Sequence, residues 1–368
     1  MSEYSLLDVV NVTTGKLNSN AATINGAYPF FTCSPETLSI DTYSFDTEAL
    51  LLAGNNAEGN FSLKYYFGKF DAYQRTYILT MSEERLTTYK YLFYLLKTRL
   101  LELKNNSAGS ATKFLTLSIL KDIRFTLPRL SEQQAIASVL SALDDKIDLL
   151  QRQNQTLEQM AATLFRQWFI EEAKEDWEKG YLKDEFHFVM GQSPKGDSFN
   201  DTGIGIAMFQ GNADFGFRFP KERIYTTEPT RFAEPLDTLI SVRAPVGAQN
   251  MAKVKCCIGR GVAAFRHIKN TDWYTYTYFK LNYLMVEIKK FNDEGTVFGS
   301  ISKSDFEKIE VVIPDENTIL EFEKMAKPLN EKINLNCHAI SNLTSLRDTL
   351  LPKLISGEVR LKGFEPVS

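Results

Sequence analysis

Apolar residues recur at alternating spacings of four and three in two long segments of the chain. The first series runs Ile136, Leu140, Leu143, Ile147, Leu150, Asn154, Leu157, Ala161, Leu164 and Trp168. The second runs Phe322, Ala326, Leu329, Ile333, Asn336, Ile340, Leu343, Arg347, Leu350 and Leu354. Each is an a/d seam sustained for more than four heptads, which favours a coiled coil. A helix from about residue 132 to 169 would span ~55 Å.

Three polar residues interrupt these seams. Asn154 and Asn336 fall at different points of the two registers. A buried seam asparagine selects one alignment of two helices, whereas one in a loosened turn faces solvent. Arg347 breaks the second seam, where Leu346 could take its place.

The helices belong to a repeating unit. Residues 117–130 and 303–316 align without gaps at a separation of 186, and the same separation matches Pro128 to Pro314 and Leu157 to Leu343. Near the two starts, residues 13–16 and 189–192 correspond at a separation of 176, so the second copy has about ten extra residues in its first half. A register shared by a helix, a strand and a proline is stronger evidence of a repeat than any single match.

Each long helical segment is preceded by a globular module of mixed structure. Residues 49–54 and 237–243 are typical of buried strands that enter a loop, and 72–79 and 256–265 of a polar turn followed by a strand. Residues 89–104 and 275–290 have helical periodicity, and their aromatic side chains are interpreted as core. Gly/Ser-rich loops are predicted at 105–118 and 292–305, before the closing strands.

The pattern therefore predicts an α+β fold. Two mixed α/β modules are separated by two long helices packed as an antiparallel coiled coil, with a pseudo-twofold internal repeat. The predicted boundaries are 1–128 for the first module, 129–178 for the central helix, 179–314 for the second module and 315–358 for the C-terminal helix.

Charge alone gives no indication of a nucleic-acid partner, because the net charge is -4. Residues 1–127 carry 12 basic and 12 acidic side chains, 181–313 carry 17 and 16, and the central segment 128–180 carries 6 and 10. The modules are thus near neutral, and they could bind DNA only through basic residues clustered on one face.

Cysteine and histidine usage excludes the common metal and disulfide frameworks. Cys33, Cys256, Cys257 and Cys337 form no CxxC pair, and the chain has only 3 histidines. The cysteines are interpreted as reduced, buried apolar residues. No stretch has the ~20 apolar residues of a membrane helix, and the N-terminus lacks a signal-peptide pattern, so we expect a cytoplasmic protein.

The sequence contains none of the common catalytic motifs. It lacks a GxxxxGK[ST] loop, a GxGxxG turn, a catalytic triad spacing and HExxH. It also contains no Pro-Pro, and therefore no Asn/Asp-Pro-Pro-aromatic tetrapeptide of the kind expected in an adenine methyltransferase. We expect the chain to perform no chemistry of its own.

Polar and cationic residues in loops are the remaining candidates for function. Arginine reads guanine and asparagine or glutamine reads adenine through paired hydrogen bonds, whereas lysine positions the phosphate backbone. Gln74, Arg75, Arg243 and Arg260 are the strongest candidates, because each lies where a strand meets a polar turn. The full set of candidate DNA contacts is Asn55, Asn56, Gln74, Arg75, Lys113, Gln192, Lys195, Gln210, Asn212, Arg243, Gln249, Asn250, Arg260 and Lys303.

Several distinctive runs resemble one known family, the specificity subunits of type I restriction-modification systems. In the first half these runs are GKLNSNAATINGAYPFFTC (15–33), AYQRTYIL (72–79) and LPRLSEQQAIASVLSALDDKIDLLQRQ (127–153). In the second half they are FQGNADFGFRFPKERIYTTEP (209–229), LISVRAPVGAQN (239–250), CCIGRGVAAF (256–265), GSISKSDFEKIEVVIP (299–314) and RDTLLPKLISGEV (347–359). The resemblance covers nearly the whole chain.

The resemblance implies that each module is a target recognition domain for one half of a bipartite sequence in double-stranded DNA. The helices would set the gap and dock two methyltransferase subunits, and restriction subunits with translocase and nuclease activity would join them. S-adenosylmethionine, ATP and Mg would be bound by those partners and no cofactor by this chain. Two alternatives stay open: a single-chain restriction or modification enzyme, and a structural coiled-coil protein with two ligand-binding modules.

Overall fold

Two long helices and many short strands make up a computed structural model that describes residues 3–56, 59–83, 85–106, 114–291 and 299–362. The strands are β1 (Glu3–Ser5), β2 (Val10–Thr14), β3 (Tyr28–Phe31), β4 (Leu38–Ile40), β5 (Phe45–Ala53), β6 (Leu63–Ala72), β7 (Thr76–Met81), β8 (Arg124–Thr126), β9 (Glu178–Tyr181), β10 (Phe186–Met190), β11 (Phe199–Asn200), β12 (Ile206–Phe209), β13 (Tyr225–Thr226), β14 (Phe232–Ala233), β15 (Thr238–Ser241), β16 (Gln249–Met251), β17 (Cys256–Ile258), β18 (Val262–His267) and β19 (Glu310–Ile313). The helices are α1 (Leu6–Val9), α2 (Tyr89–Asn106), α3 (Leu117–Asp122), α4 (Leu130–Arg166), α5 (Leu182–Glu185), α6 (Tyr274–Tyr283), α7 (Met285–Lys290), α8 (Lys303–Glu307) and α9 (Glu316–Ser356).

The long helices α4 and α9 are those predicted from the two heptad series. Only Trp168 falls outside them, in a π-helical turn at Gln167–Glu171. Internal contacts divide the chain into a first unit, residues 1–147 with 342–368, and a second unit, residues 148–341. The boundaries between the two units fall within both long helices, so the predicted division into two modules and two helices stays a prediction.

The first unit contains a six-stranded sheet in the order β2-β7-β5-β6-β3-β4. Its strands pair antiparallel except for β3 with β6. One face, with Leu50, Leu52 and Leu79, packs in a core with α2, and the other face is buried around Phe31 and Phe70. Apolar runs on both faces explain why β5 has five consecutive buried residues.

The second unit contains a four-stranded sheet, β10-β18-β15-β16, and a five-stranded sheet, β11-β13-β12-β17-β14. A small apolar cluster that includes Leu239 of β15 and Ile258 of β17 joins them. The predicted helix 275–290 is present but interrupted at Leu284 between α6 and α7. Residues 274–281 of α6 are buried, so Tyr276, Tyr278 and Phe279 are core, as expected, whereas Tyr283 at the end of the helix is 50% exposed.

The described ends of the predicted Gly/Ser-rich loops are partly helical. Residues 107–113 and 292–298 lie outside the described residues. Within the described part, α3 occupies 117–122 and α8 begins at Lys303, so helical turns precede both closing strands. Thr116 and Ser302 cap these short helices through their side-chain oxygens, which explains why polar residues there start helices rather than continue loops.

The register of the strands reproduces the two separations of the sequence repeat. Thr14 pairs with Tyr77 and Met190 with Ala263, so the first partners are 176 residues apart and the second partners 186. The small sheets agree: Glu3 pairs with Thr126 in β1–β8, and Lys179 with Val312 in β9–β19. The alignment read from the sequence thus predicts which strand residues face each other in both modules.

In the second unit, α4 and the first part of α9 run antiparallel. Asn154 bonds to Asn336, whereas Phe165 near the end of α4 contacts Phe322 near the start of α9. Asn154 and Asn336 are each only 2% exposed, so the solvent-facing alternative is wrong. The two asparagines occupy different positions of their heptad series, and their side chains meet because the helices run in opposite directions.

In the first unit, Arg347 occupies the seam position that the heptad series gives it. Its Nη1 donates to Asp144 Oδ1 at 2.7 Å, and Asp144 Oδ2 accepts from the Tyr94 hydroxyl at 2.7 Å. Leu346 is 48% exposed, so the expected substitution of Leu346 for Arg347 in the seam is wrong. The acidic partner on α4 lets a charged side chain occupy the seam.

We expect Asn336→Leu to lower the free energy of unfolding by about 1–3 kcal/mol, because it leaves the buried Asn154 Oδ1 without its donor. The double variant Asn154→Leu/Asn336→Leu removes both polar groups and should recover most of that loss. Urea unfolding of the two single variants and the double variant measures the coupling, with Asn342→Leu on an exposed position of α9 as control. Losses that simply add in the double variant would contradict the asparagine pair.

The cysteines are free thiols. Cys256 and Cys257 are buried, as expected, whereas Cys33 and Cys337 are only half-buried, so the predicted burial is wrong for these two. Burial raises the pKa of the Cys256 thiol to about 12, which keeps it un-ionised at neutral pH. Over the residues with assigned positions, no group of His, Cys, Asp or Glu side chains could hold a metal ion, and no helix has the length and apolarity to span a bilayer.

Candidate nucleic-acid interface

Two chain segments of the second module bring arginines to one solvent-open cleft. Arg260 occupies the turn that precedes β18, and its backbone N–H donates to Ser193 Oγ at 3.3 Å. Arg243 follows β15 and forms an isolated β-bridge with Ser300. Both side chains are exposed, as the strand-to-turn pattern predicts.

The cleft has a volume of about 520 Å³. Its charged and polar lining consists of Ser193, Gln210, Asn212, Asp214, Arg223, Arg243 and Arg260. Four of these were candidates from the sequence, and the structure brings the four together. Three guanidinium groups face one carboxylate, so the lining is positively charged, as a surface for the phosphate backbone requires.

Asp214 holds one wall of the cleft in place. Its side chain is 6% exposed, and its Oδ2 accepts a hydrogen bond from the Gln210 backbone N–H at 2.8 Å. Its Oδ1 accepts from Arg223, whose guanidinium is half-exposed. This pairing fixes the loop between β12 and β13 and leaves Arg223 able to present its remaining N–H groups to a ligand.

Sequence reasoning missed Arg223, Asp214 and Ser193. Arg223 does not follow a strand, and nothing in its neighbours marks it as different from the other basic residues of the segment. The structural reason is its partner nine positions earlier, Asp214, whose burial could not be read from a lone acidic residue in a loop. The run 209–229 was nevertheless one of those that carry the family resemblance.

Two candidates of the second module have side chains that bond within the fold, and the prediction for the buried Asn250 needs correction. Asn250 is 0% exposed, and its side-chain amide donates to the Gly216 carbonyl at 2.8 Å. Gln249 is half-buried, and its side chain bonds to the Tyr278 carbonyl and to Asn282. Both amides satisfy buried polar groups within the fold, so in this conformation Asn250 cannot contact DNA and Gln249 is held by α6.

The remaining candidates of the second module are exposed but do not line the cleft. Gln192 bonds through its backbone N–H to Ile258, and its carbonyl accepts from Thr230. Lys195 precedes a short helical turn at Gly196–Ser198. Lys303 begins α8 and lies 3.7 Å from Glu307. A role of these residues in DNA contact stays a prediction.

In the first module, the candidates lie around an equivalent turn. Gln74 and Arg75 form the turn before β7, and both are exposed. The Gln74 Nε2 donates to Asn18 Oδ1 at 3.1 Å. Asn55 follows β5, and its buried Oδ1 has no hydrogen-bond partner. Asn56 Oδ1 accepts from the Asn60 backbone N–H at 2.9 Å.

Lys113 lies outside the described residues. The other four candidates of the first module thus come from two turns at the ends of β5 and before β7, strands that pair with each other. Three of these four residues carry amide side chains, whereas the two strand-end candidates of the second module, Arg243 and Arg260, are arginines.

Comparison with known proteins supports a single family. The model of the type I restriction modification DNA specificity domain matches residues 1–159 and 174–334. A Methanocaldococcus jannaschii protein named as the MjaX specificity subunit of a type I restriction enzyme is 32% identical over 259 residues, or 66% of this chain and 61% of that protein. The EcoDI specificity subunit of Escherichia coli is 42% identical over 136 residues, or 37% of this chain and 29% of that one.

The chain therefore spans less than two thirds of the length of these two relatives. Among solved structures, the S subunit of a type I restriction-modification system from M. genitalium superposes with a TM-score of 0.65 over 96% of both chains, at 20% identity. At that identity the likeness establishes the fold. Together with the family match over most of the sequence, it shows that this chain belongs to the family of type I restriction-modification DNA specificity proteins.

Proposed function

We propose that this chain recognises a bipartite sequence in double-stranded DNA, with one half-site read by each module. The observation that carries the proposal is the cleft of the second module, where Arg223, Arg243 and Arg260 are exposed side by side with Gln210 and Asn212. Guanidinium and amide groups are those that read guanine and adenine edges in the major groove. The equivalent turn of the first module carries Gln74 and Arg75.

The near-neutral charge of each module limits its affinity for DNA in isolation. Phosphate contacts supply most of the binding free energy, and in each module about as many acidic residues oppose the basic ones that could make such contacts. We therefore propose that two methyltransferase subunits dock on α4 and α9 and add phosphate contacts of their own. The seam residues of both helices are buried or half-buried, which leaves the outer faces of the helices for such partners.

In this proposal α4 and α9 also determine the gap between half-sites. Helix α4 has 37 residues and would be about 55 Å long. Half-sites read on one face of the duplex lie about one helical turn apart, ~34 Å. A helix pair of that length is of the right order when the modules meet DNA obliquely.

The proposal assigns recognition to this chain and chemistry to its partners. Adenine methylation with S-adenosylmethionine would belong to the methyltransferase subunits. Translocation and cleavage with ATP and Mg would belong to restriction subunits. What supports this division is the sequence, which has neither a nucleotide-binding loop nor a methyltransferase tetrapeptide.

The proposal predicts a split methylation motif. When the chain is co-expressed with the methyltransferase subunit of its own system, adenine methylation should appear genome-wide at two short half-sites with a fixed gap. Long-read sequencing of the host DNA measures it, and the methyltransferase expressed alone is the control. A continuous motif would contradict reading by two modules, and methylation by the purified chain alone would reveal an enzyme. No methylation and no DNA binding by the assembled complex would favour a structural protein.

A further inference from the structure

The strand registers place the turn before β7 and the turn before β18 at equivalent positions of the repeat. Tyr77 and Ala263 are equivalent because they pair with Thr14 and Met190, the matched ends of β2 and β10. Gln74 stands three residues before Tyr77, and Arg260 three residues before Ala263. Each occupies the turn before its strand. Gln74 and Arg260 are therefore the same position of the repeat.

A second pair follows from the neighbouring strand. Leu50 pairs with Leu79 and Thr238 with Phe265, and Leu79 and Phe265 are 186 residues apart. Five residues further along, Asn55 forms an isolated bridge with Phe114, and Arg243 forms one with Ser300. Phe114 and Ser300 are also 186 residues apart, so Asn55 and Arg243 are equivalent by two independent contacts.

Close backbone packing fixes these turns in both modules. A Cβ atom on Gly15 would lie 1.9 Å from the Ala72 carbonyl oxygen, and one on Gly191 would lie 2.1 Å from that of Gly259. Glycine is required at both places because the incoming strand touches the backbone of the turn. The turns are thus held in the same way, and what differs between them is the side chain they present.

The two pairs of equivalent residues differ in the same chemical way. At both equivalent positions the first module has an amide and the second a guanidinium. An amide pairs with the N6 and N7 groups of adenine, and a guanidinium with the O6 and N7 groups of guanine. The Gln74 bond to Asn18 is on the surface and can be exchanged for a base edge.

Building on the proposed function, we infer that the two modules read different bases at one shared position of the repeat. Gln74, together with Asn55 at the end of the neighbouring strand, specifies adenine in one half-site, and Arg260, with Arg243, specifies guanine in the other. Arg75 has no counterpart, because its equivalent Gly261 has no room for a side chain: a Cβ there would lie 2.1 Å from the Gln210 carbonyl oxygen. In this inference Arg75 contacts the phosphate backbone and not a base.

The test exchanges the two side chains in the complex co-expressed with its methyltransferase. Gln74→Arg should change one position of one half-site from adenine to guanine, and Arg260→Gln should change one position of the other half-site from guanine to adenine. A bidentate pair gives a 5- to 150-fold preference, roughly, for its base. The methylation motifs of wild type and variants, read by long-read sequencing, measure both changes.

The controls place the same substitutions elsewhere on the surface. Gln134→Arg adds an arginine to an exposed position of α4, and Arg231→Gln removes one from an exposed position of the second module that does not line the cleft. Neither should change a base preference.

Three results would overturn the inference: both variants keeping the wild-type motif, both changing the same half-site, or Arg75→Gln changing a base while Gln74→Arg does not. Each leaves the split motif itself intact, so failure of the base assignment is distinguishable from failure of the proposed function.

Discussion

Deleting one heptad from both long helices should shorten the gap between methylated half-sites by about three base pairs. The deletions are 147–153 in α4 and 337–343 in α9. They lie between two side-chain contacts that both remain, Asp144–Arg347 and Asn154–Asn336. Seven residues of helix measure about 10 Å, which is about three base pairs of B-DNA. Seven residues are two turns of the seam, so the apolar faces stay in register.

The measurement is the methylation motif of the complex that contains the double deletion. The single deletion 147–153 is the matched control, because it moves Asn154 away from Asn336 by two turns and leaves apolar seam residues of α9 without partners. That variant should lose methylation and unfold at a lower temperature. If either deletion left full methylation at the wild-type gap, the helices would not determine the spacing.

Glu158→Ala should destabilise the second unit by about 3–5 kcal/mol, the largest effect that we expect from a single substitution. Arg218 has no exposed side-chain surface and forms an ion pair with Glu158 of α4. Its guanidinium carbon lies 4.0 Å from the centre of the Tyr278 ring. Its Nε and Nη1 atoms have no hydrogen-bond partner, so removal of the carboxylate leaves a buried charge uncompensated.

Urea unfolding of the full chain measures this effect. Glu158→Gln keeps an acceptor for Arg218 but removes the charge, and it should lose less stability than Glu158→Ala. Glu175→Ala, at an exposed position of the same unit, should lose almost none. An equal loss for Glu158→Ala and Glu175→Ala would mean that the ion pair contributes nothing. The loop that carries Arg218 also carries Asp214, so the same variant should weaken sequence-specific methylation.

The sequence predicts most of the fold, because its signals are periodic. Seam positions such as Ile136, Leu140 and Ile333 recur with the helix period, and they are buried as that period requires. The repeat also predicts the strand register, since its separations of 176 and 186 relate the paired residues of one module to those of the other. A prediction from a long regular pattern rests on many residues, so a single exception does not change it.

Polar residues were harder to place, since the position of each depends on one specific hydrogen-bond partner. Asn250 is buried because the Gly216 carbonyl, 34 residues away, needs a donor. Arg347 remains in the seam because Asp144 faces it, 203 residues away. Arg223 joins the cleft through Asp214. In each case the deciding contact is one specific side-chain hydrogen bond, which leaves no periodic trace in the sequence.

The composition of the first unit has a consequence for biosynthesis. Its residues come from both ends of the chain, 1–147 and 342–368, whereas the second unit is the continuous segment 148–341. A ribosome therefore releases every residue of the second unit before the last helical segment of the first. At 5–20 residues per second, the 194 residues between take roughly 10–40 s. During that time Leu140 and its neighbours lack Leu354, so the apolar surface that Leu354 covers in the folded first unit stays uncovered on the nascent chain.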